Sequence, residues 1–590
     1  MKPLRALLLA ATLTLPAAPA LALDVSTGRS ADLRRDGPSV LSASERSNYR
    51  EVFAAIHRSD WAGAAARLAG MRDGPLHAAA TAELYLAKGS PVVSMEQALT
   101  LLRQAPYLPQ AAQLGRLAQR RGATELPDLP RAQDLAWAGS QPRRARAESV
   151  ATDPAARELD ALIQPLIVGD RPAEAEALLN AHSYGLSPEA RTEFQQRVAW
   201  SYYLIENDAA ARRLADVARS GSGQWALHAA WVSGLASWRM GDCNAAANAF
   251  AQVGARASDT ELSAAGHYWA SRADMKCARP ENVQARLRQA AALKETFYGL
   301  LAASALGIRT PGFAGLHDFH DAEWRKIARE PNVRAAIALT EIGETNLADQ
   351  FIKHQARIGG REDHAALIHL AADLNLASTQ YWLAHNAPRG AHVNMAARYP
   401  TPDWQPPRGW RVDQALAYAH TLQESGFRTA VTSPAGAKGL MQVRPGTAGD
   451  IARRRGEPFS PDQLSVPAYN LEYGQSYLEY LRSHHGTGGL LPKVIAAYNA
   501  GPAPISEWNS RRFGEGDPLL YIESIPYWET RGYVPIVLRN YWIYQEKAGD
   551  QPVSRQALVQ GLWPRFPGLP GATAVRLGTG ASRAGAHGSD

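Results

Sequence analysis

Trp410-Arg411-Val412-Asp413-Gln414-Ala415-Leu416-Ala417-Tyr418-Ala419-His420-Thr421-Leu422-Gln423-Glu424-Ser425-Gly426 is a helix written out in residues. Val412, Ala415, Leu416, Ala419 and Leu422 fall on one stripe, and Ser425-Gly426 supplies a residue suited to a left-handed cap. Glu424 is thereby placed in the last turn. The carbonyl end of a helix carries partial negative charge, so it disfavours a second anion and pushes a carboxyl pKa upward. An acid that must still hold its proton at neutral pH needs that environment. A glutamate near a helix end is, taken singly, usually solvated and inert, so the neighbouring sequence has to decide.

Downstream of Glu424-Ser425 come Ser433-Pro434-Ala435-Gly436-Ala437-Lys438-Gly439-Leu440-Met441-Gln442, Pro445-Gly446-Thr447-Ala448, Ala496-Ala497-Tyr498-Asn499-Ala500-Gly501 and Glu529-Thr530-Arg531-Gly532-Tyr533-Val534. In this order and spacing the blocks resemble the soluble lytic murein transglycosylases, whose catalytic domain is goose-type-lysozyme-like. The match in motifs covers about residues 408–545. The longer region ahead of it resembles the large periplasmic members in layout only.

The resemblance implies cleavage of the β-1,4 bond between N-acetylmuramic acid and N-acetylglucosamine, leaving a 1,6-anhydro end. Glu424 would protonate the leaving oxygen and then accept the proton of the muramoyl 6-hydroxyl as it attacks C1. Most glycosidases use two carboxylates, and the exception implied here has the sugar's own N-acetyl oxygen stabilise the anomeric centre. Asp413, Asp450, Glu472, Glu523 and Glu529 lie in the same domain, so a second carboxylate stays open, Glu529 first among them. Ser433, Met441, Gln442, Tyr498, Glu529, Arg531 and Tyr533 are the substrate-binding residues that the resemblance implies. Each has a structural alternative: a turn serine, a capping amide, a core aromatic or methionine, or an Arg–carboxylate brace. Asn499 and Gly501 are read as a helix end. Arg444 departs from the apolar residue expected beside the cleft. No metal-binding spacing occurs and His484-His485 reads as solvated, so no cofactor is expected.

Toward the N-terminus, about Ala31 to Leu306 is Ala/Leu/Arg-rich with helical spacing and is expected to be almost entirely helical. Ser59-Asp60-Trp61-Ala62, Gly169-Asp170-Arg171-Pro172, Glu206-Asn207-Asp208-Ala209 and Gly241-Asp242-Cys243-Asn244 recur as turns, with Gly or Asn closing one helix and Asp capping the next. The last three aspartates stand 38 and 34 residues apart, the length of a helix-turn-helix repeat that stacks into a solenoid. Trp61, Trp225, Trp231 and Trp238 are available to fill its layers. Cys243 and Cys277 are the only cysteines; in an oxidising compartment they can bridge, and two buried thiols are the alternative.

The expected fold is therefore all-α: a helical superhelix, ring-like as in the large relatives, followed by a lysozyme-like domain with little or no strand. Expected boundaries are a signal peptide at 1–22, the superhelix at 23–307, a helical linker at 308–395, the catalytic domain at 396–550 and an extension at 551–590 with a flexible end. The linker reads as helices near 323–329, 332–341, 346–357 and 364–374. The proline-rich run Tyr399 to Pro407 marks the next boundary.

Lys2 and Arg5, an apolar run from Ala6 to Leu15 and Ala20-Leu21-Ala22 read as a cleaved secretory signal, too short for an anchor. Without Lys2 and Arg5 the formal charge falls from +7 to +5, a mild excess compatible with an anionic polymer. No dense basic tract or zinc-finger spacing supports nucleic acid as a partner. A periplasmic location, no membrane anchor, glycan strands as substrate and cell-wall synthesis or remodelling proteins as partners follow as expectations. A hydrolytic muramidase and a non-catalytic wall-binding scaffold are the rival readings.

Overall fold

The computed structural model describes residues 39–150, 154–308, 319–511 and 516–577. The expected signal peptide at 1–22, most of the Gly/Pro break after Leu306 and the last thirteen residues lie outside them. Among the described residues there are twenty-seven α-helices, and the four strands span two or three residues each, so the fold is all-α as expected. No helix among them is long and apolar enough to cross a membrane.

Compactness divides the chain into two units, 39–130 with 328–351 and 131–327 with 352–577. Within the first unit Pro331–Ile342, from the anticipated linker, packs on Ala43–His57. In that first unit Ser42 and Ser94 form capping boxes with Glu45 and Gln97, and Asp60 caps Trp61–Ala69 through the Gly63 amide. Tyr49, Val52 and Phe53 are its buried anchors.

In the second unit the helices Pro172–His182, Pro188–Leu204, Asp208–Ala218, Trp225–Arg239, Cys243–Arg256, Thr260–Lys276 and Pro280–Ala292 each pack on the next. Every second turn of this series shares one device: a residue of positive φ, at Asp170, Glu206, Gly241 and Ala278 here and at Ser59 in the first unit. Only one of the five is glycine, so four turns carry a left-handed strain that glycine would avoid. The cap in Glu206-Asn207-Asp208-Ala209 is Asn207, which accepts from Ala210, while Asp208 is free to pair with Arg239. In Gly169-Asp170-Arg171-Pro172, Asp170 takes the strained position and the cap residue Arg171 makes no side-chain cap bond. Cys243 and Cys277 are bonded across one such hairpin pair. Trp231 and Trp238 meet Trp269 edge-on, filling the gap between helix layers.

Two expectations need correction. Residues 121–150 are not helical; they run extended past Pro127, Pro130 and Pro142, and Leu135–Trp137 pairs antiparallel with Asn386–Pro388. The prolines break the helical hydrogen-bond ladder there. The segment after Gln551 is also more ordered than its composition implies. Val553–Val559 is a helix, Trp563–Pro564 pairs with Ala574–Val575, and Trp563 and Phe566 are buried.

The four linker helices fall where the periodicity places them, at Asp321–Ile327, Pro331–Ile342, Thr345–Ile358 and His364–Asp373. The helix Ala377–His385 follows, ahead of the irregular 399–407 run. From Pro154 to Ala305 and from Val412 to Phe566 the buried side chains join one apolar core, which sets the C-terminal helices against the repeat helices. Phe297 stacks on Trp542 at 5.1 Å, and Arg144 holds Glu523 with two bonds of 2.6 and 2.9 Å.

Candidate active site

The helix Gln414–Ser425 begins at Asp413, whose carboxylate accepts from the Ala415 amide, and ends at Gly426 with φ 57° and ψ 39°. A left-handed turn there costs glycine little, and it leaves Glu424 in the last turn. The helix is buried beyond the expected stripe, with Ala417, Tyr418, His420 and Thr421 also enclosed.

Tyr533, on the long helix Trp528–Ala548, donates its hydroxyl to Glu424 Oε1 at 2.6 Å. Among the described residues no cation lies within ion-pair distance of Glu424, and its Oε2 makes no hydrogen bond. Burial pushes the Glu424 carboxyl up to about 7 against the opposing Tyr533 bond, and the Glu529 charge adds to the rise. At neutral pH the group is therefore divided between proton donor and proton acceptor.

Behind Tyr533 stands His420, one turn before Glu424, with Nδ1 2.8 Å from the Tyr533 oxygen. Burial drives the imidazole down to about 3, so the ring is neutral. Since Tyr533 spends its one proton on Glu424, Nδ1 must carry the hydrogen, which leaves Nε2 bare; that atom is buried without a partner. The chain His420, Tyr533, Glu424 thus runs in one donor direction. Tyr498 packs on the His420 ring at 4.5 Å and donates to the Met441 carbonyl at 2.8 Å. Burial and the Glu424 charge hold its phenol well above the usual range.

The loop from Val431 to Val443 is drawn together by short bridges, Thr432 with Lys438 and Lys438 with Val443. Asn470, fully buried, fastens it: Oδ1 accepts from the Met441 amide at 2.8 Å and Nδ2 donates to the carbonyls of Lys438 and Leu464. Gly439 sits at φ +71°, and a Cβ there would collide with the Leu464 carbonyl and Asn470. Ser433 Oγ accepts from the Ala437 amide at 3.0 Å, the turn-stabilising alternative. Gln442 spends both amide hydrogens on Val431 and Gly439 carbonyls, so only its Oε1 acceptor is left for a ligand.

Met441 takes the core-methionine alternative. Its side chain is fully buried against Gly474, where any Cβ would run into its sulfur. Arg531 does not brace Glu529. It lies between the rings of Trp200 and Trp528 at 4.2 and 5.2 Å and donates to the Ile525 carbonyl. Glu529 is exposed and receives only a 3.5 Å contact from Asn499 Nδ2. Asn499 also accepts from Thr530 at 2.6 Å, which ties two motif blocks together.

The other carboxylates are committed elsewhere. Asp413 caps its helix and accepts from Tyr541; Asp450 pairs with Arg453. Glu472 is gripped by Arg411 and Arg455, and Glu523 by Arg144 and Tyr298. Only Glu529 remains unpaired by a cation near Glu424, and it acts on that group through its charge alone. Arg444 is exposed at the start of Pro445–Arg455. Sequence reasoning missed His420 and Asn470; the signal for His420 was a polar residue one turn before Glu424 on an otherwise buried helix.

Repeat helices joined through one core to a helical domain with a lone, shielded carboxyl define the lysozyme-like class. Within it, residues 406–519 match the family model described as Transglycosylase SLT domain, and the chain resembles the soluble lytic murein transglycosylases. The protein of that name from Escherichia coli K12 is 39% identical over 155 residues, which cover 26% of this chain and 24% of that one. The Salmonella typhimurium protein is 39% identical over 146 residues, 24% and 22% of the two chains. The alignments therefore span about a quarter of the relatives' length. Across the longer chain the likeness is one of fold. The 70 kDa soluble lytic transglycosylase of Escherichia coli superposes with a TM-score of 0.56 at 19% identity, over 89% of this chain and all of that one. A complex of the 70 kDa soluble lytic transglycosylase with bulgecin A gives 0.60 at 18%, with the same coverage.

Proposed function

We propose that this chain is an exported, periplasmic lytic transglycosylase that cleaves peptidoglycan between N-acetylmuramic acid and N-acetylglucosamine and leaves 1,6-anhydro ends. One observation carries the reading: Glu424 is a shielded carboxyl with no cation partner and one oxygen free among the described residues, in the segment that matches the transglycosylase domain. The relatives' names supply the substrate class, and the N-terminal signal-like sequence supplies the compartment.

In the proposed reaction the Glu424 proton passes to the glycosidic oxygen as the C1–O bond breaks. The sugar's N-acetyl oxygen supports C1, the part a second carboxylate plays in most glycosidases. The carboxylate then takes the proton of the muramoyl 6-hydroxyl while that oxygen bonds to C1, and the enzyme returns to its starting protonation. Tyr533 steadies the carboxylate between the two half-steps, and His420 acts as a positioning residue by fixing the direction of the Tyr533 hydroxyl. The Gln442 oxygen and Tyr498 are assigned to holding the acetamido group, and Ser433 to shaping the loop.

Mass spectrometry of purified sacculi digested by the full chain tests the product. The anhydro route yields fragments about 18 Da lighter than hydrolysis, because no water is added. Hydrated reducing ends would transfer the assignment to a muramidase. Binding of sacculi with no fragments released would leave only a scaffold.

A further inference from the structure

In the last turn of the helix that carries Tyr533 stands Lys547. Its ammonium donates to the Tyr399 carbonyl at 2.5 Å and, more loosely at 3.4 Å, to the Thr401 hydroxyl. No carboxylate pairs with it among the described residues, and burial alone drives its pKa down to about 8. At neutral pH it is still a cation. A lysine that serves only as a charge at a helix end keeps its head in water; this one has lost that water and has two neutral oxygens in its place.

Beside it lies a cavity of about 200 Å³, walled by the helices His364–Asp373 and Ala377–His385, by Thr401 and Pro402 of the proline-rich run, and by Lys547 itself. Asp373 lines the same cavity, yet it forms no ion pair with Lys547. The hollow therefore has an ammonium on one wall and a carboxylate on another, too far apart to satisfy each other directly. His369, also on the wall, is bonded through Nδ1 to Glu323 at 2.5 Å. Asn375 turns its Oδ1 to the Asp403 amide at 2.8 Å, which leaves the Nδ2 hydrogens for another acceptor. None of the residues assigned to the cleft around Glu424 lines this cavity.

At about 30 Å³ per heavy atom the hollow holds roughly six or seven of them, the size of alanine or serine. A simple anion would face the Asp373 charge unmatched, and a simple amine would face Lys547; a molecule carrying both charges close together answers both walls. We propose that the cavity binds a small free α-amino acid, its carboxylate taken by the Lys547 ammonium and the Asn375 amide and its ammonium by the Asp373 carboxylate, whose lone pairs accept several hydrogens at once. The site is separate from the cleft and does not depend on the murein reading.

The test titrates the native full chain calorimetrically with D-alanine and L-alanine, and with propionate and ethylamine, which each keep one of the two charges. At least one alanine enantiomer is expected to bind tenfold or more tightly than either single-charge analogue. Lys547→Met and Asp373→Asn are each expected to weaken that binding at least tenfold. Failure of both enantiomers to bind, or propionate or ethylamine binding as tightly as alanine, would overturn the proposal, and so would an alanine affinity unchanged in both variants. The comparison of ligands on the native chain decides the matter even if a variant does not fold.

Discussion

The helix Trp528–Ala548 separates two opposite electrostatic situations. On the side of Tyr533 lies Glu424, an acid with no base; on the side of Trp528 lies Arg531, a base with no acid. Between these extremes Glu523 and Arg144 show what structural charges look like in the same protein: 1% and 13% exposed, bonded twice, with Tyr298 completing the set. A buried charge given a partner serves the fold, and one denied a partner is held for something that comes and goes.

The sharpest way to break this contrast is to neutralise the lone acid. Glu424→Gln keeps the shape and removes the proton, so release of soluble fragments from sacculi should fall about 10³-fold or more while sacculus binding persists. Activity within tenfold of the native chain would end the assignment.

Stability should move the other way for the two glutamates. Glu523→Ala strands Arg144 and should cost about 3–5 kcal/mol in denaturant unfolding. For Glu424 the folded carboxyl sits at about 7, above the ordinary value of 4.5, so the native state holds its proton more tightly than the unfolded chain. Stability is then lost as pH rises from 4.5 through 7. Glu424→Gln should accordingly be more stable than the native chain by on the order of 1–3 kcal/mol at pH 8, with the gain gone by pH 4. Destabilisation by Glu424→Gln at pH 8 would place this group with Glu523.

Tyr533→Phe removes a hydrogen bond that favours the charged form of Glu424. A bond of that kind is worth about 1.5–3 kcal/mol, so kcat should drop roughly 10–100-fold and the alkaline limb of the pH profile should shift upward. A downward shift would contradict the donor direction read from the structure. The smallest effect is expected at His420→Phe, which leaves Tyr533 unaided. About 1 kcal/mol corresponds to a kcat some fivefold lower with KM unchanged, and the unfolding midpoint should hold or rise because an unpartnered buried nitrogen is removed.

Local features of the site were legible in the order of residues. The stripe from Val412 to Leu422 and Gly426 placed Glu424 in a last turn, and the linker helices fell within a few residues of their periodicity, because both depend on contacts three or four residues apart. The turns at Asp60 and Asp242 were readable for the same reason, whereas Asn207 displaced Asp208 as a cap once Arg239 offered that aspartate an ion pair. The surroundings of Met441 and Arg531 were not legible, since neither residue type reveals whether it will meet Gly474 or a pair of tryptophans.

The sequence alone determined an all-α chain, the motif blocks and the position of one glutamate at a helix end. The tertiary structure decided which charges have partners: Glu424 meets Tyr533 across 109 positions, and Glu523 meets Arg144 across 379. Helix and cap preferences act within a turn, but the burial that lifts one carboxyl and the ion pair that satisfies another exist only after distant segments have packed together.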